Sequence, residues 1–87
     1  MSAASVSRID SRYDSGHDIL YVLIGAPEPS SYSEDYPGIL VRYSEVQNDV
    51  KGVTVMSFSR TDPEILRRHV PVDIDWDELR RQYLRVE

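Results

Sequence analysis

The feature that most constrains the fold is a run of six apolar residues without alternation, Ile19–Ile24. A strand with one exposed face alternates apolar and polar residues, whereas this run offers apolar side chains to both faces. Its β-branched content, its short length and the turn residues around it favour a strand over a buried helix. We therefore expect an inner strand of a sheet that is covered on both faces.

Three further segments have the pattern of strands, and they are residues 6–13, 38–44 and 52–58. Turn residues separate them, with Asp and Gly in residues 14–17 and a bend at Asn48-Asp49. Residues 25–37 contain three prolines and are predicted to form a long loop. Because each strand follows the previous one after a turn or loop, we expect a four-stranded antiparallel β-meander.

Two helix starts follow the last predicted strand. Residues 61–64 allow a helix to begin with either Thr61 or Asp62 as its N-cap, and Pro71 ends that helix. A second helix begins at Asp75 and presents one apolar stripe, formed by Trp76, Leu79, Tyr83 and Val86. The fold class is therefore α+β, with a sheet in residues 6–58 and two short C-terminal helices in residues 61–86 packed on it.

The length of 87 residues predicts a single domain over residues 1–87, with residues 1–5 frayed. The net charge of −5 repels phosphate backbones and anionic lipid, so it disfavours nucleic-acid and membrane partners. Cysteine is absent, which fits a reducing compartment, and we expect a cytoplasmic protein without a cofactor. A chain this short buries a modest core and has a thin margin of stability. Association with another chain would increase that stability.

Residues 13–22 carry a pattern: Tyr-Asp, three residues, Asp, one residue, Leu-Tyr and an aliphatic residue. It resembles the opening of a small bacterial family catalogued as domain of unknown function 2283. Two later segments, residues 37–41 and 52–55, resemble that family's Pro/Gly-led and Gly-led strands. The chain departs at residues 42–44, where Arg-Tyr-Ser replaces the usual acid, Tyr and acid. The resemblance implies a compact antiparallel sheet without an established activity, in a protein similar in size and acidity to antitoxins.

Asp14, His17 and Asp18 are the candidates for a metal site or for a small metal-assisted hydrolase. The competing interpretation is turn chemistry, in which the two carboxylates accept backbone amides. A second alternative is DNA contact through the arginines of the C-terminal tail, which are Arg67, Arg68, Arg80, Arg81 and Arg85. Acidic neighbours of these arginines favour an ordinary solvated face instead.

The preferred interpretation is a non-enzymatic protein-binding or regulatory module. A strand that is apolar on both faces needs a second cover, which another copy of the chain or a partner protein would supply. The predicted interface consists of Leu20, Val22, Met56 and Phe58. We expect a homodimer, or a complex with a partner protein, and no catalytic residues.

Overall fold

The computed structural model describes residues 8–84, which form an α+β fold with five antiparallel strands. The strands are β1 (Ile9–Asp14), β2 (Ile19–Ile24), β3 (Ser30–Tyr36), β4 (Ile39–Ser44) and β5 (Val50–Met56). A 3-10 turn (Phe58–Arg60) and the helices α1 (Pro63–His69) and α2 (Trp76–Tyr83) follow. The predictions for residues 1–7, Arg85 and Val86 lie outside the described residues.

The strands stand in the order β1-β2-β5-β4-β3, so the predicted meander order is wrong. β1 and β2 form one hairpin, and β3, β4 and β5 form a second antiparallel unit. The two units join because β2 pairs with β5, the last strand, and not with the strand that follows it. The chain therefore crosses from the middle of the sheet to its far edge between β2 and β3.

The prediction of a loop over residues 25–37 is wrong for Ser30–Tyr36, which form β3. This strand lies at the sheet's edge and pairs with β4 alone, so polar side chains are tolerated on both of its faces. Pro29 and Pro37 flank the strand and do not interrupt its hydrogen bonds. A polar strand of this kind lacks the apolar alternation that identifies strands in a sequence.

The core lies between one face of the sheet and the helices. It contains twelve buried apolar side chains, which are Leu20, Val22, Ile24, Ile39, Val41, Val53, Val55, Phe58, Leu66, Val70, Ile74 and Trp76. Helix α2 is fixed to β1 by Tyr83, whose hydroxyl donates to the carbonyl of Ser11 at 3.0 Å. Helix α1 reaches β3, where His69 stacks on Tyr36 with ring centroids 4.4 Å apart.

Local sequence signals set the helix starts. Asp62 is the N-cap of α1, since its carboxylate accepts the amide of Glu64 at 2.9 Å and Pro63 is the first helical residue. Of the two predicted registers, the structure therefore has the one capped by Asp62. The predicted cap of α2 is confirmed, because the Asp75 carboxylate accepts the amide of Glu78 at 3.1 Å.

Candidate functional site

The register of the sheet divides its side chains between two faces. Residues directly opposite each other on antiparallel strands point to the same face, and successive residues alternate. Leu20 pairs with Val55 and Val22 with Val53, so these side chains lie on the face that the helices cover. The other face, which we call the open face, is formed by Asp10, Arg12, Asp14, Ile19, Tyr21, Leu23, Tyr32, Glu34, Leu40, Arg42, Gly52, Thr54 and Met56.

Two cross-strand rows of the open face extend across the whole sheet. The Arg12 row consists of Arg12, Tyr21, Thr54, Leu40 and Glu34 in the spatial order of the strands. The Asp10 row consists of Asp10, Leu23, Gly52, Arg42 and Tyr32 in the same order. Each row thus contains one arginine, one carboxylate and apolar or small residues between them.

Apolar side chains on the open face are in contact with water. Leu23 is 47% exposed and Met56 is 45% exposed, while Ile19, Tyr21 and Leu40 are half-buried. The prediction that β2 is covered on both faces is therefore wrong for the single chain. Within residues 8–84 the helices cover one face, and the face with Leu23 is left to the solvent.

Two arginines lie across this apolar surface. The guanidinium carbon of Arg12 is 5.6 Å from the ring centroid of Tyr21, a cation–π arrangement. Arg42 lies against Gly52, where an added Cβ atom would be 3.4 Å from its Nε and Nη2 atoms. The Nε of Arg42 is buried and has no hydrogen-bond acceptor among the described residues. A buried donor without an acceptor is costly, so an arrangement of Arg42 that gives its Nε an acceptor is favoured.

The four residues of the predicted interface lie in different places. Leu20, Val22 and Phe58 are buried in the chain's own core. Met56 is on the open face, because it pairs with Ile19 and not with Leu20. β5 ends at Met56, so Phe58 belongs to the 3-10 turn and not to the predicted fourth strand. The apolar character of both faces of β2 signalled a second surface, but only the pairing register identifies its residues.

Asp14 and His17 form one part of the predicted metal or catalytic cluster. The Asp14 carboxylate accepts the backbone amides of Gly16 at 3.1 Å and His17 at 3.3 Å. It also lies 2.9 Å from Nδ1 of His17, and this hydrogen bond holds the pKa of the Asp14 carboxyl below its usual value. These contacts are those of a turn between two strands.

Asp18 makes a separate set of contacts. Its carboxylate accepts the Tyr13 hydroxyl at 2.6 Å, and the amide and hydroxyl of Ser59 at 2.9 and 2.7 Å. Burial opposes ionisation, but these hydrogen bonds outweigh it and lower the pKa of Asp18. The same contact raises the pKa of Tyr13 to about 12. Asp18 thus attaches the first hairpin to the 3-10 turn.

The structure does not bring the three residues together as a ligand set. Asp14 faces His17 within the turn, whereas Asp18 faces Tyr13 and Ser59. In the part of the chain that the structure describes, no three His, Cys, Asp or Glu side chains are grouped as a metal site. The geometry agrees with the turn interpretation, and the metal-assisted hydrolase stays a prediction.

The arginines of the tail are dispersed among acids. Arg67 lies 3.7 Å from Glu64 and 3.6 Å from Asp77. Arg81 donates to Glu78 at 2.7 Å, and this bond raises the pKa of its guanidinium. These pairs reduce the local positive field, and DNA contact stays a prediction.

The tyrosines have distinct environments. Tyr13 and Tyr43 pack against the core. Tyr36, predicted to lie in the loop, packs on α1. Tyr32 is 60% exposed and Tyr21 half-buried, both on the open face, so two aromatic side chains border its apolar centre.

Comparison with protein families identifies a match that covers most of the sheet. The family model described as "Protein of unknown function (DUF2283)" matches residues 11–59, from β1 to the 3-10 turn, and confirms the resemblance. The residues of its opening pattern, Tyr13, Asp14 and Asp18, are those that hold the first hairpin together. No curated protein and no solved structure matches the chain. No helix among residues 8–84 is long and apolar enough to cross a membrane.

Proposed function

The chain belongs to the DUF2283 family, whose function is unknown, and we propose from its surface that it is a non-enzymatic protein-binding module. It acts through the open face, against a second copy or another protein. The observation that carries the proposal is the exposure of Leu23 and Met56 beside Ile19, Tyr21 and Leu40. A contiguous apolar patch on a small domain marks an interaction surface.

The composition of the open face supports this proposal. Tyr, Met and Arg are enriched at protein interfaces, and the open face contains all three around an apolar centre. Burial of one Leu or Met side chain that is about half exposed stabilises a complex by about 1 kcal/mol. An incoming carboxylate or carbonyl group would also supply the acceptor that Nε of Arg42 lacks within residues 8–84.

The reactive side chains support a structural role over a catalytic one. The Asp14 carboxylate accepts two turn amides, and the Asp18 carboxylate accepts three donors from Tyr13 and Ser59. A general base or metal ligand needs a free lone pair directed at the substrate or ion. The hydrogen bonds of these carboxylates go to groups of β1, of the first turn and of the 3-10 turn.

Site-specific photocrosslinking in the native host tests the proposal. A photoreactive amino acid replaces Leu23 on the open face or, as a control, Val46 in the turn between β4 and β5. Val46 is apolar and 74% exposed but does not belong to the open face. We expect a crosslinked protein adduct from position 23 and none from position 46. Equal adducts from both positions, or none from position 23, would contradict the proposal.

A further inference from the structure

We propose that the surface covering the open face is the open face of a second copy of the chain. This inference rests on the proposed function, because it names the partner of that surface. A two-fold axis runs parallel to the strands, along β5, in the centre of the sheet. The two sheets pack face to face at about 10 Å, the spacing of stacked sheets in β-sandwiches.

The first argument is the position of opposite charges at opposite edges of the Arg12 row. Arg12 stands in the edge strand β1, and Glu34 stands in the edge strand β3. The two-fold axis along β5 exchanges β1 with β3, so Arg12 of each copy faces Glu34 of the other. Although the whole chain carries a net charge of −5, this surface is complementary to itself and gains the ion pair twice.

The second argument is the missing acceptor at Arg42. The same axis exchanges β2 with β4 and places Leu23 of the second copy over Arg42. Asp10 lies beside Leu23, one strand spacing of about 4.8 Å away. Within its own chain the Asp10 carboxylate is 3.8 Å from Nε of Arg8, an exposed and long contact. Asp10 of the second copy is therefore the carboxylate nearest to Arg42, and it accepts from Nε once the Arg42 side chain turns toward it, since Nε is buried within its own chain.

The third argument is the match of the apolar centre. Tyr21 lies over Leu40 of the second copy, since β2 and β4 exchange places. Thr54 and Met56 lie in β5, on the axis, and each meets its own counterpart. The arrangement thus covers Met56 and Leu23, the most exposed apolar side chains of the central strands.

A two-fold axis perpendicular to the strands, in the plane between the sheets, fits the charges and apolar side chains of the open face less well than the axis along β5. An axis through the Arg12 row opposes Arg12 to Arg12 and Glu34 to Glu34 of the second copy, which is repulsive. An axis displaced to pair Arg12 with Asp10 shifts the copies along the strands and leaves Met56 uncovered. Only the axis along β5 opposes unlike charges in the Arg12 row and also covers every row of the open face.

The size of the surface sets the expected strength of the dimer. Five strands of six or seven residues give a face of about 24 by 20 Å, so two copies bury roughly 1,000 Å². Specific interfaces begin near this size, and the smaller ones belong to weak complexes. We therefore expect dissociation in the micromolar range.

Complementary charge reversal tests the arrangement on the full chain. In the Arg12→Glu variant, two glutamates face each other across the homodimer, and in Glu34→Arg two arginines do. We expect each variant alone to associate at least about tenfold more weakly than the original chain. An equimolar mixture restores both ion pairs in a heterodimer, so its affinity should return to within about threefold of the original. Sedimentation equilibrium measures all of these constants.

Controls separate the ion pair from folding. Glu34 also accepts the amide of Gly38 at 3.0 Å, so Glu34→Gln keeps an acceptor oxygen and removes the charge. It should weaken association less than Glu34→Arg does. Arg68→Glu reverses an exposed charge on α1, away from the open face, and should leave association unchanged.

Two results would overturn the inference. One is a mixture of Arg12→Glu and Glu34→Arg that associates no more tightly than either variant alone. The other is an original chain that stays at its monomer mass of 10.0 kDa up to about 500 µM, far above the micromolar dissociation expected here. If the chain is monomeric while position 23 crosslinks to a different protein, the second copy is excluded and the proposed function stands.

Discussion

At the scale of single residues, Asp18 links two segments that are distant in the chain. It adopts a left-handed backbone conformation with φ of 56°, which is uncommon for residues other than glycine. Its carboxylate accepts three hydrogen bonds, and its carbonyl accepts the amide of Phe58 at 3.0 Å. One residue therefore connects the first hairpin to the segment that places Phe58 in the core.

The contact between Tyr13 and Asp18 predicts a distinct alkaline titration. The Asp18 hydrogen bond raises the pKa of Tyr13 to about 12. An unfolded tyrosine has a pKa of about 10, so the stability from this contact is complete below pH 10 and is lost as pH rises through about 12. Absorbance at 295 nm should show one late-titrating tyrosine that is missing in Tyr13→Phe. An unchanged late step in that variant would contradict this assignment.

At the scale of elements, the joining of β2 to β5 decides the sheet. Gly52 stands at this junction, opposite Leu23 of β2 and Arg42 of β4. A Cβ atom at Gly52 would lie 2.8 Å from the carbonyl oxygen of Val22, closer than van der Waals contact allows. The absence of a side chain at position 52 therefore lets the two units pair and leaves room for the Arg42 guanidinium beside it.

Gly52→Ala should destabilise the protein by about 2 kcal/mol, because the strand must shift to relieve the close contact. Gly16→Ala is the matched control. Its Cβ atom would meet only the Asp14 carboxylate oxygen, at an ordinary 3.5 Å, and its φ is not in the positive range. Urea unfolding of both variants gives the comparison. Equal stability of the two would show that the approach of β2 to β5 does not depend on Gly52.

At the scale of the whole molecule, one small core supports the entire fold. A domain of this length has a thin margin of stability, since it buries only about 60% of the surface that its unfolded chain exposes. Helix α2 contributes Trp76, which is 1% exposed and is the largest fully buried side chain. The helices are therefore essential to the sheet, although they lie beyond residues 11–59 that match the family model.

Trp76→Ala should remove about 3–5 kcal/mol of stability, because it leaves a large cavity beneath α2. This loss is comparable with the total stability of a small domain, so we expect a largely unfolded chain. Val46→Ala removes an apolar side chain that is 74% exposed and should change stability by less than about 0.5 kcal/mol. Thermal melts followed by circular dichroism test both. A cooperative melt of Trp76→Ala near the original temperature would contradict the assigned role of α2.

Short-range features of the sequence predicted much of the local structure. The bend at Asn48, which has a φ of 64°, and the Asp75 cap were both predicted, because each depends on residues a few positions away. The turn role of Asp14 follows from the same local chemistry. β3 was missed, because a polar edge strand such as Ser30–Tyr36 is stabilised by its neighbour β4 and not by its own pattern.

The sequence by itself determined the fold class, the family, the turns after β1 and β4 and the Asp75 cap of α2, since these follow from propensity and from contacts between near neighbours. Only the tertiary structure decided which strands pair and which face of the sheet stays open. Both faces of Ile19–Ile24 are apolar, so the sequence allowed either face to meet the helices. Register selects one of them, because pairing Leu20 with Val55 turns both residues toward the helices and leaves Leu23 on the open face.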